Sequence, residues 1–291
     1  TMEDVREIGC EWLCKQALEE LCVGDFLKQC NWDQTQTERA LMHIISRATY
    51  PASEHKTAQW INDNSAVAEL FDRDPLSINR FHLYRASSML YKQKDSIEDF
   101  LSVKTNELFD LEDKIIINDL TNTYFEGRKA GSKLARFNRS KEKRNDARLV
   151  ALALVVNVEG FVKYSKIFRG NIADCKTLKQ IVEQLSQRTS GSARKPVVVI
   201  DAGIATEENL LMLKQMQYSY VCVSRSKLKD YQAVGDQRVH LKDNRDQPIE
   251  IRWVEKPDND DRFLYVRSQM KAKKEMAMND HFCERYEEEL E

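Results

Sequence analysis

Two stretches decide the fold: Lys114-Ile-Ile-Ile-Asn-Asp119 and Pro196-Val-Val-Val-Ile-Asp201-Ala-Gly203. Each is a short run of β-branched residues that closes on an aspartate. β-Branched side chains favour extended backbone, and an unbroken apolar run suits a strand buried on both faces. The runs predict two strands of a partly parallel sheet, with Asp119 and Asp201 at their carboxyl ends. In open α/β sheets functional groups collect at that edge. If the two strands lie side by side, both carboxylates face one crevice. Carboxylates at close quarters repel unless a cation sits between them. Mg²⁺ suits such a place because it takes oxygen ligands and keeps several of its waters. Taken singly, each aspartate reads first as a turn former or a helix cap; only the pair points to a site. Gly203 leaves room for a backbone or phosphate to approach, with a plain turn as the alternative.

Around these runs the pattern is mixed. Leu149 to Val156 and Phe161 to Phe168 read as strands joined by a turn at Asn157 to Gly160, and Tyr218 to Val223 as another strand. Asp174 to Gln187 and Thr206 to Met216 carry apolar residues at helical spacing. The order from residue 115 to 223 is thus β, β, β, α, β, α, β. Upstream, the first hundred residues read as helices. Val5, Ile8, Trp12 and Leu13 form the expected buried stripe of a helix from Glu3 to Leu21. Further helices are expected over Gln36 to Tyr50, Ser53 to Asn62, Ser65 to Phe71, from Ser77 onward, and over Ser96 to Phe109. Downstream, Ile249 to Val254 and Phe263 to Val266 read as strands of an appended β element, and Lys271 to Glu291 as a helix. The expected division is a helical region at 1–110, an α/β core at 111–223, a β-rich insertion at 224–270 and a helical start at 271–291.

Composition removes several classes. The chain has 291 residues, a net charge of -2, 42% hydrophobic and 32% charged residues, and only 9 Gly and 5 Pro. That rules out collagen-like and low-complexity chains and wholesale disorder. No window approaches the ~18 apolar residues a membrane span needs. The 7 Cys are odd in number and lack the tight pairs of a zinc site, so they read as small apolar core thiols, Cys222 among them. His43, His55, His82 and His240 are scattered, and His281 with Cys283 does not make a metal site. No P-loop, GxGxxG or GxSxG string occurs. Ser224-Arg-Ser-Lys227 has the composition to touch phosphate, or to make a polar turn.

The near-neutral charge hides one basic segment. Between Arg128 and Arg148 there are nine Lys/Arg against two acids, Glu142 and Asp146. Arg128, Lys129, Lys133, Arg136, Arg139, Lys141, Lys143 and Arg144 are candidates for gripping a phosphate backbone, with a solvated loop as the alternative. Tyr124 and Phe125 beside them are candidates for stacking on bases or for the core.

Four elements in order resemble the DDE-type insertion-sequence transposases. Asp119-Leu-Thr-Asn-Thr-Tyr-Phe-Glu126-Gly127 is similar to that family's first catalytic motif. Ser140-Lys-Glu-Lys-Arg144-Asn-Asp146 is similar to its Ser-Lys-Asp-x-Arg-x-Asp element. Gly170-Asn171-Ile-Ala-Asp174 through Thr177-Leu178 resembles its Gly-Asn-x-x-Asp-x-x-Thr-Leu element. Val197 to Gly203 resembles its second catalytic motif. The resemblance covers residues 100 to 225 best and belongs to the branch with a β-rich insertion. It implies an α/β, RNase H-like mixed sheet flanked by helices. It implies Asp119 and Asp201 as catalytic metal ligands, Mg²⁺ or Mn²⁺ in a two-metal site, and phosphoryl transfer that cleaves and joins DNA. Double-stranded DNA (terminal repeats and target) is the implied partner. A homodimer on DNA, the bacterial cytoplasm with its nucleoid, and no membrane association are implied too, with the helical region helping to bind the terminal repeats.

The departure is the third acid. The family places a Glu in a Tyr-x-x-Arg-x-x-x-Glu-x-x-x-x-x-x-Lys pattern on a late helix. The nearest match is Phe282-x-x-Arg285-x-x-x-Glu289, with Phe for Tyr. The interval from Asp201 is short for an insertion-bearing member, and an Arg-x-x-x-Glu spacing is also an ordinary helical ion pair. The expectation is that the third acid lies downstream of Glu289 and that this chain alone is a weak or inactive enzyme. The alternatives are a non-catalytic DNA-binding remnant and another RNase H-like nuclease.

Overall fold

In a computed structural model the first hundred residues wind into α1 (Gly9–Glu20), α2 (Val23–Gln29), α3 (Gln34–Thr49), α4 (Glu54–Asp63), α5 (Arg80–Lys92) and α6 (Lys94–Phe109). The structure describes residues 5–111, 113–127, 129–138, 146–188, 195–224, 228–243, 245–257 and 259–288. Side-chain caps set several helix starts. Asp33 accepts from the Gln36 amide, Ser53 from Lys56, and Asn79 from Phe81 and His82, which satisfies donors that an uncapped first turn leaves open. Met42, Ile45, Ile61, Val67 and Leu83 make one core, and Val23, Leu27 and Ala40 another.

Two expectations in this region fail for a common reason. The apolar stripe of α1 points outward: Val5, Ile8, Trp12 and Leu13 are all exposed, while Glu11 is only 2% exposed. The Glu11 carboxylate accepts the Ser65 hydroxyl at 2.7 Å, and Arg6 donates to the carbonyls of Ile61 and Ser65 and pairs with Glu69 at 3.3 Å. These polar contacts set the roll of the helix against its amphipathic pattern. They also hold Ser65 extended, in a bridge with Glu7. The stretch Ser65 to Phe71 therefore closes only a 3-10 turn at Glu69–Phe71 rather than a helix.

The mixed sheet comprises β1 (Ile115–Tyr124), β2 (Arg136–Phe137), β3 (Arg148–Asn157), β4 (Val162–Arg169), β5 (Val197–Ile200) and β6 (Tyr220–Cys222). Its order is β4-β3-β1-β5-β6, with the short β2 continuing β4's edge of β3. β4, β3 and β1 run antiparallel, and β1, β5 and β6 parallel. This is the strand arrangement of the RNase H-like fold. α7 (Leu178–Arg188) and α8 (Glu207–Gln215) supply the connections to β5 and β6. They pack Leu178, Ile181, Leu185 and Leu213 against Ile116, Leu120, Ala153, Val155, Val198 and Ile200 on one sheet face. The full double-sided burial expected of the valine run does not hold: Val198 and Ile200 are buried, whereas Val197 and Val199 are half-exposed. On the opposite face α6 covers the β4 edge. Lys94 donates to the Ser165 carbonyl at 2.7 Å and pairs with Glu98 at 3.0 Å. Buried Lys163 meets Asn106 at 2.6 Å and Asp113 at 3.1 Å.

The chain divides into two compact units, residues 1–223 and 224–291. The second holds β7 (Gln232–Lys242), β8 (Pro248–Glu255) and β9 (Phe263–Ser268) in an antiparallel sheet, followed by α9 (Gln269–Glu288). β7 was not expected from the sequence. Its text is mostly polar and alternates only over Arg238-Val239-His240-Leu241-Lys242; pairing with β8 extends the strand back to Gln232. The described residues leave the seven cysteines free, with Cys10, Cys22 and Cys283 exposed. Those three are not core thiols; each sits on or beside a helix with its outer side to solvent.

Candidate active site

β1 is longer than the apolar run that marks it. It continues through Tyr124 because β3 pairs along it from Ile116 to Tyr124. Asp119 therefore lies in mid-strand and not at a strand end. The parallel pairing with β5 does stop there: its last partners are Asn118 and Ile200. Asp119 and Asp201 are the next residues of two neighbouring parallel strands, which lie about 4.8 Å apart in any sheet. Ile117 and Val199, two residues back on each chain, are register partners. Side chains alternate faces with a period of two, so Asp119 continues the face of Ile117, away from α7 and α8. Both aspartates are exposed.

Each carboxylate is held locally. The Leu120 amide donates to Asp119 Oδ1 at 2.8 Å, and the Gly203 amide donates to Asp201 Oδ2 at 3.3 Å. The Asp201 carbonyl accepts the amides of Ile204 and Ala205, closing a turn before Thr206 caps α8. At Gly203 a Cβ would lie 3.3 Å from Asp201 Oδ2 and 3.9 Å from Asp174 Oδ2. The missing side chain is what lets these two carboxylates border one small space. Asp174 was given no role by sequence reading, although it stands inside the Gly170 to Leu178 element. Asn209 was missed altogether. This buried residue donates from Nδ2 to the carbonyls of Ile204 at 2.7 Å and Cys175 at 2.8 Å, tying the Asp201 turn to the Asp174 turn. No sequence signal marks that role, because it arises only when the two turns meet.

The crevice offers hard oxygen donors and a glycine cradle, which fits Mg²⁺ or Mn²⁺. Among the described residues no group of three or more His, Cys, Asp or Glu converges to hold an ion. Behind Asp119, on the core face, Asn118 is 2% exposed with both side-chain polar atoms unpartnered. The Phe168 to Leu178 element has its own structural reason. Gly170 lies against the Leu149 backbone, its amide donates to the Leu134 carbonyl, and its carbonyl accepts from Asn138.

The basic segment leaves the sheet at the carboxyl end of β1, the same end at which Asp201 follows β5. Lys129 and Lys133 are exposed. Arg136 is half-buried and donates to the carbonyls of Ser132 and Ala135, so its guanidinium secures its own loop. Phe125 is half-buried with Lys129 over its ring, and Tyr124 is partly exposed. Arg128, Arg139, Lys141, Lys143 and Arg144 lie outside the described residues, as do Arg225 to Lys227 and Glu289. His281 and Cys283 are exposed on α9, where His281 faces Glu284.

A sequence profile of the Transposase DDE domain matches residues 110–275, more than half of the chain. The chain belongs to the Transposase DDE domain family. No curated protein matches it. Among solved structures it is similar to the Mos1 transposase paired-end complex with left transposon end, at 9% identity and a TM-score of 0.27, over 62% of this chain and 57% of that one. It is also similar to the piggyBac transposase synaptic complex with hairpin DNA, at 13% identity and a TM-score of 0.33, over 90% of this chain and 61% of that one. The chain thus spans less than two thirds of either, and its family membership rests on the profile match. In family terms, the strand pair that bears Asp119 and Asp201 falls inside the matched domain, and so does most of the β-rich unit up to residue 275.

Proposed function

We propose that this DDE-family chain is part of a bacterial insertion-sequence transposase that binds the ends of its element and cuts and joins DNA by metal-dependent phosphoryl transfer. The observation that supports the reading is the register of β1 and β5, whose last partners, Asn118 and Ile200, immediately precede Asp119 and Asp201. These two residues are the proposed catalytic metal ligands. With Mg²⁺ or Mn²⁺ bound, the site would activate a water or a DNA 3′ hydroxyl and offset charge on the leaving oxygen. The protein's own part is positional. Leu120 and Gly203 amides orient the two carboxylates, and the bare Gly203 keeps the crevice open. Lys129 and Lys133, at the same end of the sheet, favour a phosphate backbone there. Arg128, Arg139, Lys141, Lys143 and Arg144 extend that basic surface in sequence. Two-ion chemistry calls for a third carboxylate beside Asp119 and Asp201.

The helical residues 1–110 are the proposed terminal-repeat reader, residues 111–223 the catalytic core and residues 224–270 an insertion. The working form is a homodimer on paired ends, acting at the nucleoid. No helix of the described residues is long and apolar enough to cross a membrane, and no membrane role is proposed.

The test is D119N and D201N, each in a transposition assay. Loss of one ligand removes several kcal/mol of transition-state stabilisation, so strand transfer should fall about a thousandfold or more while binding to element ends persists. Normal transposition by both variants would show the site to be elsewhere.

A further inference from the structure

A second candidate site lies in the helical region, away from the carboxylate crevice. Between the start of α3 and the outer side of α5 is a cleft of about 120 Å³. Arg39 of α3 and His82 and Arg85 of α5 line it, with Thr35, Gln36 and Asp33 at its rim. His82 and Arg85 are three residues apart and so share a helix face. By volume the cleft has room for about four waters, the space that one hydrated tetrahedral oxyanion group needs.

Its charge is unbalanced. Three arginines elsewhere in the helical region are paired, Arg6 with Glu69 at 3.3 Å, Arg47 with Glu54 at 2.8 Å and Arg73 with Glu38 at 2.6 Å, while Arg80 lies over the Phe81 ring. Neither Arg39 nor Arg85 makes an ion pair or side-chain hydrogen bond among the described residues. The rim's one acid, Asp33, is engaged as the α3 cap by the Gln36 amide at 2.8 Å. α5 itself contains Arg80, Arg85 and Lys92 and no acid. Burial pushes the His82 imidazole below its ordinary range, and the charges of Arg39 and Arg85 push it further, which places all three groups in one field. Elsewhere on α5, Phe81 is 65% and Tyr84 48% exposed, and Phe81 lines a separate cleft with His55 and Ala58. Two arginines without an acid partner on one small cleft fit the phosphate of a polyanion, which their planar guanidinium groups bind in a forked geometry.

We propose that Arg39 and Arg85 form a phosphate clamp by which the helical region grips the backbone of duplex DNA. The proposal rests on the reading that the chain acts on DNA. The contact is sequence-independent, so its signature is the salt dependence of binding. Each phosphate contact contributes roughly 0.9 to the log-log slope.

The experiment uses the full chain and a fluorescent duplex of arbitrary sequence, with the dissociation constant followed over a salt series. R39A/R85A should lower the slope by roughly two and weaken binding equally for unrelated duplexes, with an unchanged unfolding midpoint. R39K/R85K should restore most of the slope. The His82 ring resonances should move towards the protonated form when duplex is added, because an anion offsets the arginine field. A slope unchanged in R39A/R85A overturns the proposal. So does a His82 response to inorganic phosphate as strong as that to duplex at equal phosphate concentration, which would mark a small-anion site. Binding is read here without cleavage. Normal transposition by D119N and D201N would therefore remove the crevice assignment and leave the clamp standing.

Discussion

A methyl group on Gly170 would land on the backbone carbonyl of Leu149, and backbone cannot swing aside as a side chain can. Gly170→Ala must therefore push β3 away from the loop that follows β4, at about 3 kcal/mol, the upper end of overpacking costs. A thermal unfolding curve should show the midpoint falling by roughly 6–12 °C; a shift under about 2 °C would mean that the loop adapts freely. Gly203 differs in kind. Its added Cβ would meet the far ends of the Asp201 and Asp174 side chains, which can turn, so the cost falls on carboxylate placement and not on folding. Gly203→Ala should leave the midpoint within about 1 °C of wild type and weaken Mn²⁺ binding in a calorimetric titration. Unaltered Mn²⁺ affinity would separate Gly203 from the site. Of the two, only Gly203 was marked as functional by its place after Asp201; the demand on Gly170 depends on how closely β3 passes.

At the scale of the elements, α3, α4 and α5 are joined by a polar chain. His43 Nε2 lies 2.7 Å from the Ser87 hydroxyl, Ser87 reaches Glu54, and Glu54 pairs with Arg47 at 2.8 Å. Burial lowers the His43 pKa and Arg47 lowers it further, against an opposing pull from Glu54. A histidine held neutral in the fold binds its proton more readily when unfolded. Stability is therefore present above the ordinary value of 6.5 and is lost as pH falls below it. His82 acts in the same direction. Glu54 is different: burial raises its pKa, but its own backbone hydrogen bond and Arg47 outweigh that and hold it below 4.5, so its contribution disappears only in more acidic solution. The unfolding midpoint should fall between pH 7 and pH 5, and H43Q/H82Q should flatten that fall. An equally steep profile in the double variant would assign the proton uptake elsewhere. α1, α3, α4, α5 and α6 were readable from apolar spacing; α2 was not expected, and the helix expected over Ser65 to Phe71 is only a 3-10 turn. The roll of α1 was not, because a buried Glu11–Ser65 contact between residues far apart in sequence outweighed its apolar stripe.

At the scale of the molecule the two units differ in how much they bury. Residues 1–223 contain three hydrophobic clusters. Among the described residues of 224–291 the buried hydrophobic residue is Val254, while Val239, Leu241, Trp253, Leu264 and Val266 are exposed along the strands. A three-stranded sheet with so little core is marginal by itself. Residues 1–223 expressed alone should unfold in one cooperative transition. Residues 224–291 alone should show none, as read by circular dichroism on heating. A sharp transition in the smaller piece would require burial that the present arrangement lacks.

The sequence alone determined the order of strands and helices from β1 to β6 apart from the short β2, most of the N-terminal helices, the β-branched runs that seed the sheet and the family to which the chain belongs. Each of these follows from residues close together in the chain, through backbone preference, apolar spacing and local motifs. Tertiary structure decided the rest. It carried β1 past Asp119 by pairing it with β3, brought the residues just before Asp119 and Asp201 into register, turned α1 inside out and made a strand of the mostly polar text at 232–242. It also brought Asp174 to the rim of the Gly203 space and Asn209 between two turns. These outcomes depend on partners many residues away, so no local pattern could announce them.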